Sequence, residues 1–141
     1  MGVGDNFDPK SITSFTEESE KDVIAQLIRA PDDSHLTKRF IIDRPTKVRI
    51  YSLGEGENRQ MYDFGWIENA KTGTTVWKMT YNMTAHAGGA KKNRMVSTDL
   101  LLEKGEYELH YETDGSHAFN DWNARPPEDR VHWGITLSRE Q

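Results

Sequence analysis

The chain predicts an all-β fold: one antiparallel β-sandwich, jelly-roll-like, of seven to eight strands. Three observations point there. Short apolar-patterned segments recur along most of the chain, separated by turns rich in Pro, Gly, Asn and Asp. No segment after residue 30 carries a long helical period. And GEYELHYETD, residues 105–114, places Tyr107, Leu109, Tyr111 and Thr113 on one face and Glu108, His110 and Glu112 on the other, the period-two signature of a half-buried strand.

The elements follow in order. Residues 1–20 are polar and acidic, with Glu17, Glu18 and Glu20 clustered, and read as a tail or linker. A single domain is expected over 21–141. DVIAQLIRA (22–30) suits a short helix through Val23, Ile24, Leu27 and Ile28, and suits a first strand equally. Pro31-Asp32-Asp33-Ser34 marks a turn. Strands are then expected over 36–43, 46–53, 61–68, 74–83, 94–102, 105–114 and 131–138. In TKVRIYSL, Val48 and Ile50 share one face and Lys47, Arg49 and Tyr51 the other. The LGEGEN segment, with Glu55 and Glu57, reads as a glycine-rich turn.

Size and composition narrow the function classes. A chain of 141 residues is one domain with room for a sizeable core. Its net charge of -5 argues against a general nucleic-acid partner, which selects a basic surplus. With no cysteine, thiol catalysis, disulfides and Cys-based zinc sites are excluded. No run has the apolar length of a membrane span, and the first residues lack a signal-peptide pattern. A monomer that does not engage membranes is expected.

The order RFIID, PTKVRIYSLGEG, a strand ending in a loop, then LEKGEYELHYETD resembles the small accessory β-sandwiches of bacterial secreted proteins, of the pre-peptidase C-terminal type. Their penultimate strand opens on a Gly-x-Tyr turn, here Gly105-Glu106-Tyr107. The resemblance covers about residues 36–137. It implies a non-catalytic accessory module of a larger or secreted bacterial protein, one that binds a glycan or protein or assists its parent's placement. It also implies a secreted or periplasmic location, with a cytoplasmic one left open.

The candidate chemistry concentrates in TDGSHAFNDWNARPP, residues 113–127. Sugar sites combine an aromatic platform with hydrogen-bonding side chains, and Trp122 stands among Asp121, Asn123 and Arg125, with His117 nearby. These five form the expected ligand-binding set. Trp122 serves equally as a pin for the loop, whereas Trp77 and Trp133 are expected in the core. Asp114, Asn120 and Asp121 offer hard oxygens for calcium. A rival reading makes the same loop a small hydrolase using Asp114, His117 and Asp121. The spacing argues against it: neighbours in one loop diverge, and the G-x-S-x-G elbow is absent. A ligand-free structural domain is a third reading. Gly88 and Gly89 before Lys91 and Lys92 lack the Walker spacing and read as a basic hairpin loop. Glu108, His110 and Glu112 form a flat polar row, a poor cage for an ion.

Overall fold

The computed structural model describes residues 22–140. The expected tail at 1–20 lies outside the described residues, as do the outermost positions of the expected domain. The chain runs β1 (Val23–Leu27), β2 (His35–Ile42), β3 (Thr46–Glu57), β4 (Gln60–Met61), β5 (Phe64–Asn69), β6 (Thr75–Lys78), β7 (Ala85–His86), β8 (Asn93–Leu102), β9 (Gly105–Glu112), β10 (His117–Ala118), β11 (Asp121–Trp122) and β12 (Gly134–Arg139), with one-turn 3-10 helices at Tyr81–Met83 and Arg130–His132. Among the described residues, eight of the twelve strands have four or more residues.

The eight are arranged as a jelly roll. One sheet has the order β1-β12-β3-β8, extended by β7; the other is β2-β9-β5-β6. The pairs β5–β6, β3–β8, β2–β9 and β1–β12 are all antiparallel and nested within one another. They form one long ribbon folded over so that alternate pairs fall in opposite sheets.

The inner faces follow from alternation. Val48 and Ile50 of β3 and Tyr107, Leu109 and Tyr111 of β9 point inward and meet Phe40, Ile42, Ile67, Ile135 and Leu137 in one core. That spacing makes these segments strands: each apolar residue at every second position has a partner across the layer. The ambiguous first segment is strand β1 because β12 offers it an open edge, pairing Ala25 with Leu137 and Leu27 with Ile135. Helical spacing in a nine-residue stretch is weaker than a sheet edge waiting for it.

Two expectations need correction. LGEGEN is largely the end of the longest strand among the described residues, because β3 continues through Gly54 and Glu55 opposite β8 and through Gly56 and Glu57 opposite β4. Glycine is needed at 54 because a side chain there would drive into the Asp63 carbonyl oxygen, 2.1 Å from its Cβ position. The strand expected over 74–83 is shorter, ending at Lys78 before the Tyr81–Met83 turn.

Entry into β12 depends on Gly134. Its φ is 147°, and a Cβ would lie 1.9 Å from the Leu27 carbonyl oxygen, in a backbone region that other residues avoid. We expect Gly134→Ala to cost about 2 kcal/mol or more, measured by urea unfolding; a smaller loss would show that β1 shifts freely away from β12.

Candidate functional site

The residues expected to carry chemistry gather at one end of the sandwich, where β3 runs out, β5 begins, β9 ends and β12 starts. Between β9 and β12 lies the 113–127 segment, ordered by a small hairpin of β10 and β11, in which His117 faces Trp122 and Ala118 faces Asp121. Ser116 precedes it and Asn120 lies in its turn, with φ of 74° and 70°, so these two polar residues make the left-handed bends. Backbone bonds then stitch the segment to the sheets. Asp33 N–H donates to the Asp114 carbonyl, Phe119 N–H to the Ala30 carbonyl, and Ala90 N–H to the Arg125 carbonyl.

His117 is fully buried. Its Nε2 lies 2.7 Å from Asn93 Oδ1 and its Nδ1 2.8 Å from Asn123 Oδ1. Asn93 Nδ2 already donates to the Gly88 and Arg125 carbonyls, so Asn93 can only accept from the ring. Lys92 Nζ donates to Asn123 Oδ1 at 2.8 Å. Both ring nitrogens therefore face acceptors, which favours a second proton. Burial opposes it and pushes the His117 imidazole below its ordinary value, with the Lys92 charge adding and the Asn123 contact pulling the other way. We take burial as dominant, because the ring is closed from solvent. A neutral ring carries one N–H and so donates to only one of these two amide oxygens.

Beside this pair, Asp63 is completely buried. Its Oδ1 accepts the Asp114 backbone N–H at 2.9 Å, and its Oδ2 accepts the Trp133 indole N–H at 3.3 Å. Burial pushes its carboxyl up to about 9, with the Asp114 side chain and the Glu55 charge adding to the rise and the Asp114 N–H resisting it. Glu55 is also pushed up, first by burial, against the pull of Lys92, whose Nζ lies 3.1 Å from Glu55 Oε2. Glu55, Asp63 and Asp114 each bring a carboxylate oxygen within 4.8 Å of the others.

The structure separates the residues that the sequence grouped. Trp122 is half-buried and packs edge-on against Trp133 at 4.9 Å and against His117 at 5.0 Å; it pins the loop to the core. Trp133 is buried and Trp77 packs against the core, as expected. Arg125 contributes its backbone carbonyl to Asn93 and Ala90. Asn123 links His117, Lys92 and Ser116. The proposed calcium set Asp114, Asn120 and Asp121 is divided: Asp114 joins Glu55 and Asp63, Asn120 turns the hairpin, and Asp121 shares a hydrogen bond with Asp32 that raises the Asp32 carboxyl. The Asp114, His117 and Asp121 trio is likewise not assembled around one reacting position, since both His117 ring nitrogens are engaged by asparagines.

A second cluster lies on the outer face of the β2-β9-β5-β6 sheet. Trp66 stacks on His110 with parallel rings 4.8 Å apart, flanked by His35 at 5.3 Å and Phe64 at 5.5 Å. His35 Nε2 meets His110 Nδ1 at 2.9 Å. His110 Nε2 faces Glu108 Oε1 at 3.1 Å and Glu68 Oε1 at 3.5 Å, and the Trp66 indole N–H donates to Glu68 Oε2 at 3.0 Å. Alternation in MYDFGWIE marks Phe64, Trp66 and Glu68 as one face, but nothing in that segment says that His35 and His110 join it. The register does, by setting Trp66 opposite His110 on β9 and Thr37 of β2 beyond it.

No protein-family model matches the chain, and no curated protein matches it.

Two outcomes test this site. A folded-state His117 value below 6.5 stabilises the fold fully above that pH, and the contribution is lost as pH falls through the folded value. Urea unfolding between about pH 7.5 and pH 5 should show His117→Gln losing less stability than the parent as pH falls; equal slopes would mean that burial does not shift the ring's titration. Trp122→Ala should lower stability by about 2 kcal/mol in the same assay, whereas an exposed platform residue would leave it unchanged.

Proposed function

We propose that the domain is a non-catalytic binding module that takes a glycan on the outer face of the β2-β9-β5-β6 sheet. The observation that carries this reading is the Trp66 cluster. An indole partly open to solvent is surrounded by two imidazoles, a phenyl ring and two carboxylates, and the exposed Arg39 side chain lies on the neighbouring strand opposite Glu108. Sugar rings present apolar C–H faces and equatorial hydroxyls. An aromatic strip supports the first by stacking, and the carboxylates, imidazoles and guanidinium match the second by hydrogen bonding.

The packing supports placing the surface here instead of on the 113–127 loop. Trp122 faces Trp133 and His117, so removing it would damage the fold before it damaged a surface. Trp66 stands on a strand whose opposite face is held by Ile67 in the core, so the platform is rigid and little side-chain entropy is lost on binding. The resemblance to accessory sandwiches of secreted bacterial proteins fits the same reading, in which the module positions a parent protein on a polysaccharide.

Affinity electrophoresis through gels containing a panel of soluble polysaccharides tests it. The domain should be retarded by at least one of them. Trp66→Ala should remove most of that retardation with a change in melting temperature under about 3 °C, and Glu108→Gln should weaken it. Retardation that survives Trp66→Ala, or none on any gel, defeats the proposal.

A further inference from the structure

Two groups of three metal-capable side chains occur among the described residues, and they differ in how their polar atoms are satisfied. In the outer-face group, the His110 imidazole already bridges Glu68 and Glu108 and is itself bonded to His35. That group is closed by its own hydrogen bonds.

The group at the end of the sandwich is not closed. Lys92 neutralises Glu55 through Oε2 alone. Glu55 keeps only 9% of its side chain exposed, and its Oε1 is buried with no hydrogen-bond donor. The two donors on Asp63, the Asp114 N–H and the Trp133 indole N–H, do not extend to Glu55. A buried carboxylate oxygen without a donor is costly, and here it belongs to a group whose other members are also carboxylates.

We propose that Glu55, Asp63 and Asp114 bind a hard divalent cation of the calcium class. Their donor atoms are all carboxylate oxygens, with no imidazole or sulfur, which favours calcium over zinc or copper. Three oxygens within 4.8 Å of one another are close to the spacing that a single ion with ligand distances of about 2.4 Å requires, and small side-chain shifts bring them onto it. The orphaned Glu55 oxygen gains a partner, and the exposed Asp114 side chain provides the entry side, where water completes the shell. The ligands come from the end of β3, the residue before β5 and the second residue after β9. An ion there would tie the 113–127 segment to both sheets. This site is independent of the glycan surface, which lies on a different face.

Terbium luminescence tests the site, because Trp133 is bonded to Asp63 and can transfer its excitation to a lanthanide held there. Excitation of tryptophan in the full chain should give terbium emission that excess calcium displaces. Calcium should also raise the melting temperature. Asp114→Asn, at an exposed position, and Glu55→Gln, which can still accept a hydrogen bond from Lys92, should each weaken binding at least about tenfold. Glu68→Gln, in the outer-face group, should leave it unchanged. The proposal falls if calcium neither displaces emission nor shifts the melt, or if binding persists in both Asp114→Asn and Glu55→Gln.

Discussion

The buried carboxyl of Asp63 is the contact on which the end of the sandwich depends. It stands between Tyr62 and Phe64 at the start of β5, in the other sheet from β12, and holds the backbone at Asp114 with one oxygen and the Trp133 indole with the other. Those bonds fix where β9 stops and where β12 begins. Trp133 then supports Trp122 and His117 by edge-on packing, and His117 orients Asn93 and Asn123. A polar group buried this completely is tolerated because its acceptors are used, and burial first, with its acidic neighbours adding, favours its neutral form.

The topology explains why this end is rich in polar residues while the core is not. In a nested ribbon folded into two layers, strands cross from one sheet to the other at the ends, where backbone groups leave the ladders and need other partners. Here those partners are side chains: Thr113 for the Pro31 carbonyl and Ser34 N–H, Asn93 for the Gly88 and Arg125 carbonyls, and Tyr111 for the Leu53 carbonyl. In the 113–127 segment Thr113 is spent in this way, while His117 and Asn123 are engaged by other side chains and Trp122 packs on Trp133. The broad face of the β2-β9-β5-β6 sheet has no such obligation, since its backbone is satisfied within the ladder. It is free to present Trp66, His35 and the two glutamates outward.

Legibility differed sharply between neighbouring residues. Tyr107, Leu109 and Tyr111 declared their inward face because alternation is a local property of one strand. Asp63 hid inside an apolar segment, and Glu55 hid between two glycines that imitate a turn. Period two in LGEGE offered a signal, since Leu53, Glu55 and Glu57 continue the strand rhythm of TKVRIYSL. What obscured it was the preference of glycine for turns, overridden here because Gly54 must lie against the Asp63 carbonyl. Asp114, Asn120 and Asp121 misled in the opposite way: closeness in sequence suggested one site, and left-handed bends at Ser116 and Asn120 turned them apart.

By itself, the sequence determined the layer architecture, the approximate places of the long strands and the alternating faces of β3 and β9, because hydrophobic periodicity acts over a few residues and survives any choice of topology. It also determined that the last loop would be ordered and polar. Only the tertiary structure decided that Trp122 is a pin, that His117 is enclosed by two asparagines, and that Glu55 meets Asp63 and Asp114. Those pairings join residues from five apart, Trp122 and His117, to about sixty apart, Glu55 and Asp114. They are set by the register of β3 against β8 and by the crossing of β9 to β12, and no local pattern encodes either.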